Sequence, residues 1–197
     1  MSVELFLGYL KNSNHTTQLK FRVVFQCAPV LKGVKLSNIV TLPIGTWQQF
    51  AEDFSESGIS WQIIARNRKT EVVFLYRKRW LAEWLEQGDI RDFLKGVGYH
   101  DIRLELVLEK LQYRYQAYTG KAADFPHELG ILLHYPVEDV KAFIEHGGKK
   151  SLLSGYWKVY HNAEEAQQIF LLYDKVKDKA AQEFMRGFTP QQIAVGF

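Results

Sequence analysis

Apolar and polar residues follow two different periods along this chain, and the changes of period outline its elements. Residues 3–10 are short and apolar and predict a helix, followed by a polar break at 12–15. Residues 19–25 are apolar at mixed spacing, and Ala28-Pro29 is expected to interrupt whatever precedes it. Residues 38–42 read as a strand bounded by Pro43, and Thr46 is placed to cap a helix carrying Trp47, Phe50 and Phe54. Two runs rich in β-branched and aromatic residues, 59–65 and 71–76, flank the polar stretch 67–70 and predict a hairpin. Helical spacing then takes over with Trp80, Leu81, Trp84 and Leu85, and again with Leu104, Val107, Leu108 and Leu111. Residues 156–160 predict a further short strand. Asn162 is positioned to cap a long amphipathic helix bearing Ala166, Ile169, Phe170 and Tyr173. Strand pairs mixed irregularly with helices argue for an α+β fold, a small mixed or antiparallel sheet packed with several helices.

Composition narrows the classes. The length suits a single globular domain spanning 1–197. No run approaches the roughly 18 apolar residues of a membrane span. The start Met1-Ser2-Val3-Glu4-Leu5-Phe6 has no basic region leading into an apolar stretch, so no signal peptide is expected. A single cysteine without a targeting segment points to a reducing, cytoplasmic setting. The net charge is +3, with basic and acidic residues interleaved, which gives no case for nucleic acid or an acidic membrane. The runs Arg66-Asn67-Arg68-Lys69 and Arg77-Lys78-Arg79 read either as a solvated hairpin tip and helix start or as a docking patch for an acidic partner. No phosphate-cradling glycine loop and no cluster at metal-ligand spacing is present, so neither cofactor nor metal is expected.

The lone cysteine, Cys27, is either a small buried hydrophobe or a nucleophile. A nucleophilic thiol needs a base within reach and a way to stabilise its thiolate. Among six histidines, His15, His100 and His146 sit in polar or glycine-flanked breaks, and His134 and His161 lack flanking constraint. His127, in Asp124-Phe125-Pro126-His127-Glu128-Leu129-Gly130, stands at the edge of an apolar run, where a catalytic imidazole belongs. Asp139 or Asp124 is available to orient it, and the order Cys, His, Asp is that of papain-like enzymes. The same segment also reads as a helix–turn–helix, through Pro126, a turn at Tyr135-Pro136 and a helix with Val137, Val140, Phe143 and Ile144. Glu138, Asp139 and Glu145 on its second helix would repel DNA, so this is a packing motif. The run Gly155-Tyr156-Trp157-Lys158-Val159-Tyr160 is hairpin core, or else a binding wall. In the second case Lys158 faces an anionic group and the tyrosines stack on a flat substrate.

Three motifs in order, Phe125-Pro126-His127-Glu128-Leu129-Gly130, Tyr135-Pro136-Val137-Glu138-Asp139-Val140 and Gly155 to Tyr160, resemble the DUF3793 family of anaerobic Firmicutes. Cys27-Ala28-Pro29, then Gly33 and Lys35-Leu36-Ser37-Asn38, resemble its N-terminal motif. That family is defined by sequence rather than by an established activity. Members commonly carry His before the N-terminal Cys, where this chain has Gln26, and extra cysteines where it has Leu153 and Tyr156. A cysteine-rich metal role therefore does not carry over, whereas Cys27, His127, Glu128 and Asp139 do. A more distant resemblance is to cysteine-protease-like enzymes that form amide bonds in clostridial thiotemplated pathways.

Two functions follow as expectations. In the first, Cys27 attacks a thioester or amide carbonyl, His127 moves the proton, Asp139 orients His127, and Gln26 with nearby backbone N–H groups stabilises the oxyanion. The acyl group then passes to water or an amine acceptor, and an acidic acyl- or peptidyl-carrier protein would suit the basic runs. In the second, the chain is a non-catalytic ligand- or partner-binding domain that uses Tyr156, Trp157, Lys158 and Tyr160, with Cys27 packed.

Overall fold

The computed structural model describes residues 3–194, with side chains from Gly8 onward; Met1 and Ser2, which open the segment read above for a leader, lie outside them. Helix α1 (Val3–Asn12) leads into α2 (His15–Leu31), whose first turn is capped by Asn14 Oδ1 accepting from Thr17 N. The interruption expected at Ala28-Pro29 does not occur: α2 runs through Pro29 to Leu31. Pro29 lies in the last turn of α2, and its own carbonyl accepts from Val34 N and Lys35 N as the chain turns. Gly33, at φ 68°, makes that turn.

Strands β1 (Ser37–Pro43), β2 (Ser60–Arg66) and β3 (Thr70–Tyr76) form an antiparallel sheet in the order β1-β3-β2. Its central strand is buried on both faces, which explains why Glu71-Val72-Val73-Phe74-Leu75 reads as a nearly continuous apolar run. Val73 and Leu75 face a core made with α2, the short helix α3 (Thr46–Phe50) and the later part of α9 (Ala163–Met185). Phe74 and Val72 face a second core. That core is built with α4 (Lys78–Leu85), α5 (Gly88–Gly96), α6 (Leu104–Thr119), the single turn α7 (Leu129–Leu132) and α8 (Val137–Glu145). The fold is α+β, with helical layers on both sides of a small antiparallel sheet.

Thr46 does not cap α3. Gly45, in the left-handed region, precedes it, and the buried Glu71 carboxylate accepts from Trp47 N (2.7 Å) instead. Arg77, expected in a solvated run, is buried and donates from Nε and Nη2 to the last carbonyls of α2, Val30 O (2.8 Å) and Leu31 O (2.9 Å). A cation at a helix C-terminus answers both the dipole and the orphan carbonyls.

Beyond α8, β4 (Leu153–Ser154) and β5 (Lys158–Val159) form a small hairpin. It packs on the first half of α9 through Trp157, Val159, Ala166, Phe170 and Tyr173. Helix α9 is about 35 Å long, so one end holds this hairpin while the other, at Ala180, Ala181 and Phe184, packs in the α2 core. Asn162 precedes α9 as its cap residue, at φ 48°, without the side-chain bond expected of it. A last helix, α10 (Pro190–Ile193), opens with a Thr189/Gln192 capping box. No helix among the described residues is long and apolar enough to cross a membrane.

Candidate functional site

The sequence motifs converge, but not into the catalytic group expected of them. Cys27 lies inside α2 with no exposed surface, packed in the core that α2 shares with β1, β3 and α9. Burial pushes its thiol up to about 12, against a weaker downward pull from Lys35 and Lys177. Its position inside a continuous helix commits neighbouring backbone N–H groups to the helical ladder, so no oxyanion hole forms there. The backbone carbonyl of Gln26 accepts from Asn38 Nδ2, and the residue borders a separate groove with Phe21, Arg22 and Phe25. Among the described residues no hydrogen bond joins Cys27 to His127, whose ring contacts are Phe125 (5.4 Å) and Phe143 (5.6 Å).

Asp139 does not orient His127 either. Its carboxylate, 2% exposed, fastens the end of the β4–β5 hairpin to the start of α8. Oδ2 accepts from Trp157 Nε1 (2.8 Å), and Oδ1 accepts from the backbone N–H of Tyr160 (2.8 Å) and His161 (3.0 Å). Nδ1 of His161 stands 3.4 Å from the same oxygen. Asp124, the other acid considered, is exposed. Glu128 is buried and paired with Arg114 (3.0 Å) while accepting from the Tyr99 hydroxyl (2.8 Å), which pins the segment before α7 onto α6.

The N-terminal motif is a joint. Ser37 Oγ donates to Leu132 O at the end of α7, and Lys35 Nζ lies over the rings of Tyr135 (5.3 Å) and Tyr173 (5.8 Å). Lys35 is 3% exposed and has no carboxylate partner among the described residues, and burial first, then Lys177, lowers its amine to about 8. A lysine held below its unfolded value is a cost at neutral pH. Between about pH 8 and 10.5 the unfolded chain binds the extra proton, so stability rises with pH across that window. Replacing Lys35 by Met is expected to raise stability at pH 7 by about 1–3 kcal/mol. Urea unfolding at pH 7 and 9 checks this: the wild type should gain stability over that step and the variant should not. Equal gains in both would assign the pH response to another group.

What the C-terminal motifs build is a cavity of ≈ 350 Å³ between α6, α7, α8 and the hairpin. Its walls are mainly aromatic, with Tyr115, Phe125, Tyr135, Phe143 and Trp157, over an aliphatic floor that includes Ile39, Leu129, Leu133 and Val140. Tyr135 stacks on Trp157 at 5.2 Å and donates its hydroxyl to Tyr156 O, so this wall is fixed from behind. Gly130 is held close to α8: a Cβ there would meet Val140 Cγ2 at 2.9 Å. Besides Asp139 and the tyrosines, the polar side chains on the lining are His127, Ser154 and Lys158. Of the four residues expected to bind substrate, Trp157 and Lys158 line this cavity. Tyr156 turns instead to Phe170, Tyr173 and the Asp174 carboxylate (2.6 Å), and Tyr160 borders a different groove with His146 and His161. Tyr115, Phe143 and Ile39 were not read as site residues: Tyr115 belongs to α6, which carries none of the motifs, and Phe143 and Ile39 read as packing positions of a helix and a strand. Among the described residues no three His, Cys, Asp or Glu side chains are grouped to hold a metal ion.

The match of a family model to residues 23–194 places this chain in the family described as protein of unknown function (DUF3793). Neither the curated proteins nor the solved structures contain a match.

Proposed function

We propose that this protein is a small-molecule-binding domain whose site is the aromatic cavity between α6, α7, α8 and the β4–β5 hairpin, with Cys27 serving as packing. The observation that carries this reading is a cavity of ligand size, ≈ 350 Å³, lined by residues of all three C-terminal motifs and edged by an imidazole, His127, that makes no hydrogen bond to a described residue. The rival reading, papain-like acyl transfer through an acyl-Cys27 with an acidic carrier protein as donor, needs a thiol open to substrate and paired with a base. The burial of Cys27 in α2 and the commitment of Asp139 to the hairpin weigh against it. A lone reduced thiol suits a cytoplasmic setting.

Nile red, a neutral apolar fluorophore, tests the cavity. Its emission should rise saturably with the wild type. Ser154→Trp, at an exposed strand position on the lining, should weaken binding about tenfold or more by filling the mouth, with an unchanged circular dichroism spectrum. Undiminished affinity in the variant would place the dye elsewhere and sink the assignment.

A further inference from the structure

The polar side chains around the cavity include one acid and one cation. Asp139, the one acid on its lining, has both oxygens occupied by Trp157 Nε1, two backbone N–H groups and His161. Both of its oxygens are therefore already engaged by the protein. Glu128, which is buried and not on the lining, is paired through Oε1 with Arg114 and Tyr99. What remains is one pure donor, Lys158, beside hydroxyl and imidazole groups that can donate as well as accept. Lys158 Nζ donates to Gly148 O and has no carboxylate partner among the described residues, which leaves two of its three N–H groups for a ligand. His127 and the Ser154 hydroxyl make no side-chain hydrogen bond to a described residue. The walls, in contrast, are ring faces and edges, which favour stacked or edge-on contact with another ring over an alkyl chain. A volume at the low end of ligand sites suits one or two fused rings.

We infer that the cavity takes a small aromatic carboxylate, its ring system between Phe143, Phe125 and Trp157 and its anionic head at Lys158 and His127. This rests on the cavity reading above and names the chemical class of its ligand. A charge-assisted contact from a lysine to a carboxylate, absent for a neutral isostere, supplies the selectivity.

Naphthylacetate, its neutral analogue naphthylacetamide, and octanoate are the probes, each titrated into the full chain while the Trp157 indole N–H resonance is followed. The acid should bind roughly tenfold tighter than the amide. Lys158→Met should erase that preference, weakening the acid by far more than the amide. Equal affinities of acid and amide in the wild type would overturn the anionic head, and tighter binding of octanoate would overturn the aromatic body. Either result leaves the cavity reading standing if Nile red still responds to Ser154→Trp. Silence from all three probes together with an unresponsive dye would remove both.

Discussion

Replacing Asp139 by Ala is expected to lower the stability of this protein by about 3–5 kcal/mol, the range seen when one partner of a buried charged network is removed. The carboxylate is nearly inaccessible and satisfies the Trp157 indole and two successive backbone N–H groups where the hairpin runs into α9. With it gone, three donors lose their acceptor together, and each buried donor left unpaired costs about 1–3 kcal/mol. The Tyr160 and His161 amides, held by Asp139 at the end of the hairpin, should lose hydrogen-exchange protection first. Asn at the same position should cost less, about 1–3 kcal/mol, because its carbonyl can still serve the backbone pair while its NH₂ group faces the Trp157 donor. Urea unfolding with exchange measured by mass spectrometry separates these outcomes. An Ala variant within about 0.5 kcal/mol of wild type would show that water replaces the carboxylate without loss.

Native Cys27 is expected to resist iodoacetamide. A thiol raised from 9.0 to about 12 holds, at pH 8, about a thousandth of the thiolate of an ordinary cysteine, before any allowance for access. Labelling should therefore proceed through opening of the core, accelerate with urea in step with unfolding, and be indifferent to His127→Ala. The same shift has a stability sign. The folded value lies above the unfolded one, so the native state keeps a proton that the unfolded chain sheds, and stability falls as pH rises from about 9 toward 12. Rapid alkylation of the native protein below pH 8, slowed by His127→Ala, would reverse the choice between nucleophile and packing and restore acyl transfer.

Much of the scaffold was legible because local chemistry agreed with the final structure. The 59–65 and 71–76 runs became paired strands, and the stripes at Trp80 to Leu85 and Leu104 to Leu111 became helices that bury their leucines and Val107, with Trp80 and Trp84 half-buried. Pro29 was misread because its effect on a helix depends on position, and in the last turn of α2 the chain tolerates it. The place of Cys27 was within reach: Val23, Val24, Cys27, Ala28, Val30 and Leu31 continue one apolar surface through the thiol, which marks the inner side of a helix. The partner of Asp139 was not within reach. Spacing shows that an acid is near a motif, whereas the donor it meets is chosen by how the hairpin folds back over α8, and this brought Trp157 and His161 rather than His127. The cavity was half visible. Trp157 and Lys158 were named from their motif, but the rings opposite them come from α6 and α8, and only tertiary packing sets them face to face.

The outer edge of the sheet is closed in an unusual way. Gln112 and Gln116 of α6 reach across to β2, where their amides donate to Ile63 O (2.9 Å) and Arg66 O (2.9 Å), and Gln116 Oε1 accepts from Arg66 N (2.8 Å). Two glutamines thus imitate the main chain of a neighbouring strand, beside the irregular register between Ile63 and Ala65. Strand addition, by which exposed sheet edges capture peptides or one another, finds those positions already taken. The sheet is thereby guarded against edge-to-edge aggregation on this side by side-chain amides rather than by charge or proline.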